Sequence, residues 1–266
     1  MLSLHHGDCL EVMKGIPDKS VDLIVCDLPY GCLTGGGKVE KLKGASYGQG
    51  ACAWDIPIDL QAFWEQVRRI RRDDHTPTIH FCTTKFGYDL IRSNEKEFRY
   101  DLVWDKQRGV SFLSANKNPM RSHEMIYVFS KKQAYYQRID ISGNFQPYNF
   151  KATDTPPAFN GSKGLKVRTP TQNDGTKRCV LSVIQNANKT LRKSAHPTEK
   201  PIDLYKFLIE RYSKEGDTIL DPTFGSGNSV FTAVELGRNA IGIEKDKAFF
   251  DKANARINSV VESAQG

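Results

Sequence analysis

Along the first two-thirds of the chain, short apolar runs alternate with segments whose apolar residues recur every three or four positions. "LSLHH" (2–6) and "VDLIVCD" (21–27) are strand-like and flank a short helix around Leu10 to Lys14. "DLQAFWEQVRRIRR" puts Leu60, Phe63, Trp64, Val67 and Ile70 on one helical stripe. "TPTIHFCT" predicts a strand, "KFGYDLIRSN" a helix, and "FRYDLVWDK" and "HEMIYVFSK" two more strands. After Pro201 the rhythm returns: "PIDLYKFLIERYS" as a helix with proline at its start, "DTILD" as a strand, "PTFGSGNS" as a glycine-rich turn, and "SVFTAVELG" as a helix. "NAIGIE" is the next strand, and residues 245–263 form a closing helix. Strands separated by helices build βαβ units, so the predicted fold is α/β, a mostly parallel sheet with helices on both faces.

Two stretches break the pattern. Gly31 to Asp55 is rich in glycine and has no sustained period; it follows "VDLIVCDLPYG" directly and is expected to be a mobile loop near the site. The second, about 131–194, is irregular apart from one short apolar run, Cys179 to Ile184, and is expected to leave the sheet as an insertion. Charge singles out the same region. Between Lys151 and Lys200 there are ten Lys/Arg and three acids, which accounts for the whole net charge of +7. Clustered cations favour a polyanionic partner, and Lys163, Lys166, Arg168, Lys177 and Arg178 are the candidate contacts.

The six cysteines, at 9, 26, 32, 52, 82 and 179, show no Cys-x-x-Cys and no metal-ligand spacing. A reducing cytoplasm with free thiols and no metal site is the expectation. No stretch approaches the length of a membrane span, and the N-terminus has no secretory pattern.

Chemistry is concentrated at two strand ends. In "TILDPTFGSGNSVFTAVELGRNAIGIE", Gly225 and Gly227 let the backbone approach a ligand, and Glu244 follows Gly225 at the spacing from which an acid reaches ribose hydroxyls. A third glycine, usual in dinucleotide turns, is Val230 here. Asp27 and Tyr30, in "DLPY", stand where open α/β sheets hold their ligands. An exocyclic amine of a nucleobase is a poor nucleophile because its lone pair is delocalised into the ring. A carboxylate and a backbone carbonyl that accept its two N–H groups free that pair. A proline stiffens the turn, and an aromatic ring stacks on a base flipped out of the duplex. A bare Asp-x-Pro-Tyr also occurs in ordinary turns.

Taken together, these segments resemble the amino-methylating DNA methyltransferases that use S-adenosylmethionine. "DLPY" resembles their Asp-Pro-Pro-Tyr motif, "DPTFGSGNS" their cofactor loop, and "HPTEKPIDLYKFLI" the segment packed under the cofactor. The tetrapeptide precedes the insertion and the cofactor loop comes last, the permuted order of the beta group. The resemblance covers most of the chain except roughly 32–55 and 131–194. It implies a Rossmann-like methyltransferase fold over 1–266, with the insertion as target-recognition segment.

It also implies roles. Asp27 and the Leu28 carbonyl would grip the target amine, Pro29 would fix the turn, and Tyr30 would stack the base. Asp8 would read the cofactor's adenine and Glu244 its ribose, while Asp27, Asp221, Phe224, Gly225, Ser226 and Gly227 line the cofactor. Cys9, Asn228, Thr198 and Lys200 stand beside them. Leu28 departs from the family pattern, which has proline and hence one more rigid φ angle. Family members with aspartate at the first position mostly methylate adenine N6, and those with serine mostly cytosine N4.

The reading is therefore site-specific N6-adenine methylation of double-stranded DNA in the cytoplasm of a bacterial or phage-infected cell. Its alternatives are cytosine-N4 methylation, glutamine methylation in a protein, or a DNA-binding protein with a vestigial cofactor pocket. Monomer or homodimer is left open, as is membership of a restriction-modification pair, whose nuclease is expected to be a separate chain. His123, Glu124 and Trp104 are read as structural residues.

Overall fold

The computed structural model describes residues 1–30, 58–110, 112–150, 171–185 and 199–263. In chain order the elements of the first part are β1 (Leu2–His6), α1 (Cys9–Met13), β2 (Leu23–Cys26), α2 (Leu60–Ile70), β3 (Thr78–Cys82), α3 (Thr84–Ser93), β4 (Phe98–Val110) and β5 (Arg121–Phe129). Four short strands follow, β6 (Ile141–Ser142), β7 (Tyr148–Phe150), β8 (Thr171–Asn173) and β9 (Lys177–Arg178). The chain continues with β10 (Val183–Ile184), α4 (Ile202–Tyr212), β11 (Thr218–Asp221), α5 (Asn228–Glu235), β12 (Asn239–Glu244) and α6 (Lys247–Ser263).

Eight strands form one sheet in the order β1-β12-β11-β2-β3-β5-β4-β10. All but β5 run in one direction; β5 is antiparallel to both of its neighbours. Side chains on a strand alternate between faces, and β2 shows the result. Leu23 and Val25 join the core beneath α4, α5 and α6, whereas Ile24 and Cys26 join the core beneath α1, α2 and α3. Helices therefore cover both faces, as the alternating pattern predicts. No described helix is long and apolar enough to cross a membrane.

The insertion needs one correction. Val183 and Ile184 do not leave the sheet: they pair in parallel with Val103 and Trp104 and form its last strand. Two residues are too few to show a period, so the run reads as loop. Arg138–Leu181 forms a compact unit of its own, with two antiparallel ladders, β6 with β9 and β7 with β8. Within it Lys177 and Arg178 are exposed, and the Arg178 guanidinium lies 4.3 Å from the centre of the Phe145 ring. Lys163, Lys166, Arg168, Thr198 and the glycine-rich loop after Tyr30 lie outside the described residues.

The missing third glycine has a structural answer. Gly242 on β12 takes the close contact from the strand side. A Cβ there would stand 2.6 Å from Phe224 and 2.9 Å from both Val230 and Leu4. The bulky Val230 thus fits on α5 because the strand beneath it is bare.

Candidate active site

β11 and β2 are neighbours, but the chain leaves them in opposite directions: β11 leads through α5 to β12, and β2 leads toward β3. That divergence opens a crevice at the strands' carboxyl ends, where α/β sheets bind ligands. Asp221 ends β11 and Asp27 follows β2, so both acids stand at its mouth. Thr223 joins them: its N–H donates to Asp221 Oδ1 at 2.9 Å, and its hydroxyl donates to the Asp27 carbonyl at 3.1 Å.

The Asp27 carboxylate is held from two sides. Tyr30 donates its hydroxyl to Oδ1, and the Lys200 ammonium sits 2.5 Å from Oδ2. Lys200 is only 5% exposed and also faces Glu124 at 3.4 Å, which in turn pairs with Lys106. Burial alone would lower the Lys200 pKa, but the charges of Asp27 and Glu124 hold it above its usual value. For Glu124 burial pushes upward, and Lys200 and Lys106 overcome it to give a net lowering. The outcome is a partly buried row of ion pairs, Lys106–Glu124–Lys200–Asp27, with Lys200 its buried member. Leu28, where the family has proline, is 2% exposed and packed in the core, so burial immobilises the turn in place of a ring. The Tyr30 ring lies 5.1 Å from that of Phe86.

Glycines shape the second half of the site. Gly227, at φ 80°, is the left-handed residue from which α5 starts, and a Cβ there would press on Ala253 and Ile257 at 3.1 Å. Glu244 accepts the Gly225 N–H at 2.9 Å and the Asp246 N–H at 2.7 Å, one on each oxygen. Its burial raises the carboxyl pKa against those bonds. Phe224 is buried, its N–H on the Ile243 carbonyl. Asn228 ties the loop to the segment before α4: its amide donates to Glu199 at 2.7 Å and to the Lys200 carbonyl at 2.8 Å. Its Oδ1 accepts from Arg256 at 2.7 Å. Asp8 caps α1 through Leu10 N–H at 3.0 Å, and Lys245, next to Glu244, lies 3.0 Å from its other oxygen. Burial opposes the net lowering of the Asp8 pKa, which Lys245 and the capped N–H produce. Cys9 is buried, its thiol pushed up to about 12 by desolvation, so it offers no thiolate.

Hydrogen bonds join Asp27 to Lys200, Lys200 to Asn228 and Gly225 to Glu244, while Asp8 and Asp221 are tied in through Lys245, Thr223 and Ser229, the chain neighbours of these residues. Glu124 and Lys106 were missed as members. Glu124 lies in the first half of β5, and because β5 is reversed that half lies at the same edge as Asp27. A pattern of apolar positions does not carry strand direction. Only the burial of Lys200 points to them, since a buried ammonium has to be paired, and its burial is not written in the local sequence.

Asp221 gives a pH prediction. Burial pushes its carboxyl up to about 7, while the Ser229 hydroxyl and Thr223 N–H pull it down and the charges of Asp27 and Glu244 add to the rise. A folded-state pKa above the ordinary 3.8 favours the fold at low pH, and that contribution is lost as pH rises through about 7. Asp221→Asn should therefore gain stability over the native chain progressively from about pH 4 to pH 7, reaching a few kcal/mol at roughly 1.4 per unit. Urea unfolding across that range measures it. A difference that does not vary with pH contradicts the assignment.

Comparison with known proteins identifies the family. The DNA methylase family matches residues 21–255. The Type II methyltransferase M.HinfI of Haemophilus influenzae is 28% identical over 271 residues, covering 96% of this chain and 67% of that protein. Among solved structures, the M1.HpyAVI–SAM complex has a TM-score of 0.60 at 19% identity, covering 97% of this chain and all of the other (100%). The cytosine-N4-specific PvuII DNA methyltransferase has a TM-score of 0.64 at 14% identity, covering 97% and 90%. These two share the Rossmann-like fold, and the family match runs through both the tetrapeptide and the glycine turn. The chain belongs to the DNA methylase family, the amino-directed DNA methyltransferases.

Proposed function

We propose that this chain transfers the methyl group of S-adenosylmethionine to the N6 amino group of adenine in duplex DNA. The observation that carries the reading is a buried-edge aspartate, Asp27, at the mouth of the crevice beside a glycine turn braced by Glu244.

The residues suit the cofactor. Glu244 keeps lone pairs beyond the two that accept backbone N–H groups, enough for ribose hydroxyls. Asp8 would face the adenine, and the turn Phe224–Gly227 the adenosine. When bound, S-adenosylmethionine supplies an electrophilic methyl group on a sulfonium. Asp27 has about four acceptor positions. Tyr30 and Lys200 occupy one on each oxygen in this structure, leaving room for an amine N–H. The Leu28 carbonyl takes the second N–H. Drawn toward tetrahedral geometry, the nitrogen presents its lone pair, and after alkylation it sheds a proton to solvent. No general base with a tuned pKa is required. The Lys200 ammonium holds the Asp27 carboxylate in place from one side, and Tyr30 offers its ring to the extruded base.

Aspartate rather than serine at position 27 favours adenine. The same proposal places the chain in a reducing cytoplasm. Lys177 and Arg178 are the described members of the basic set proposed to lie against DNA phosphates within a target-recognition segment. Incubating the chain with unmethylated duplex DNA and methyl-labelled S-adenosylmethionine tests the activity. Label should enter the DNA, and tight cofactor binding without transfer would mean a protein that works by occupancy.

A further inference from the structure

The connection between β4 and β5 projects from the catalytic edge, since β4 runs parallel to β2 and β3 and ends where the crevice opens. Its composition is unlike the rest of the chain outside 151–200, where acids outnumber Lys and Arg once this connection is set aside. Residues 106–121 carry Lys106, Arg108, Lys117 and Arg121 and no acid. At the tip, Phe112 is 72% exposed and Leu113 83%. Large apolar side chains held in water at the end of a basic hairpin mark a contact surface.

The hairpin is also bent. The pairing of β4 with β5 shifts register between Asp105 and Val110, and Gln107 in that gap adopts a left-handed φ of 53°, its N–H on Asp105 Oδ1 at 2.9 Å. Bulges of this kind re-aim strands beside active sites. At the hairpin's base Lys106 pairs with Glu124, which is 3.4 Å from Lys200, the partner of Asp27.

We propose that this hairpin enters duplex DNA at the target site, with Phe112 and Leu113 as the wedge that fills the space left by the extruded base and Arg108 and Lys117 on flanking phosphates. The substrate rests on the function proposed above; none of these residues belongs to the basic window 151–200. Extruding a base unstacks its neighbours, and apolar side chains inserted between base steps offset that cost. A duplex is the occupant that matches both halves of the tip, because its phosphates meet the acid-free cationic flank and its stacked bases meet the apolar end.

Two full-length variants test the proposal on a short duplex bearing the target site, read beforehand by sequencing the bases modified in plasmid DNA. F112S/L113S should lose about tenfold or more in kcat/KM on matched DNA. Opposite an abasic position the target base needs little help to leave the stack, so on that duplex the variant should return to within about threefold of wild type. R108Q/K117Q should flatten the salt dependence of duplex binding by about two units of slope, with cofactor affinity unchanged. An equal loss on both duplexes would mean a structural role, and no loss on either would place the hairpin away from DNA. A change of oligomeric state in F112S/L113S with DNA binding intact would make the tip an interface between two copies, and would also overturn the proposal. A wild-type chain that methylates no DNA contradicts the function above, whereas the salt series on plain duplex still judges the hairpin separately.

Discussion

Asp27→Ala loses methyl transfer by roughly a hundredfold to a thousandfold or more, the scale of one preorganised hydrogen-bonding group at a reacting centre. The substitution removes the main acceptor for the target amine and leaves the glycine turn untouched, so calorimetry should find S-adenosylmethionine affinity changed only a few-fold. It also withdraws one of the two carboxylates that face the buried Lys200. Breaking such pairs costs about 3–5 kcal/mol where nothing replaces them. Glu124 remains, so a smaller loss is expected. Asp27→Asn separates the two effects, because it keeps the shape and one acceptor oxygen while removing the charge. Its stability should lie between those of wild type and alanine, with activity still deeply reduced. Turnover near wild type in both variants would remove the tetrapeptide from the chemistry.

Glu244→Ala carries the second large effect. A buried carboxylate that braces Gly225 and Asp246 and also accepts from a ribose contributes on the scale of a charged hydrogen bond, about 1–3 kcal/mol. S-adenosylmethionine should bind roughly tenfold to a hundredfold more weakly, with further loss as the turn relaxes. Glu244→Gln keeps one acceptor oxygen and should fall between alanine and wild type. Unchanged affinity in the alanine variant would place the cofactor elsewhere.

Much of this was legible in the sequence because apolar spacing encodes which face is buried. Phe63, Trp64, Val67 and Ile70 give α2 its buried stripe, and the alternation along Leu23–Cys26 divides that strand between two cores. The tetrapeptide and the glycine turn were legible for another reason: each directly follows a strand-like apolar run, at the end where α/β sheets hold ligands. What escaped has no such local signature. The reversal of β5 is a property of pairing, and it alone brings Glu124 beside Lys200. Gly242 substitutes for a glycine expected on the helix, a trade visible only once strand and helix are in contact. The cations of the β4–β5 hairpin vanish in a net count because acids elsewhere in the sheet domain balance them.

The central claim, N6-directed methylation that depends on Asp27, reduces to the identity of one modified base. DNA from a methylation-deficient host expressing this chain is digested to nucleosides and resolved by mass spectrometry. The account predicts N6-methyladenine, absent when the same host expresses Asp27→Ala. N4-methylcytosine in its place, or N6-methyladenine that persists in the variant, would contradict it.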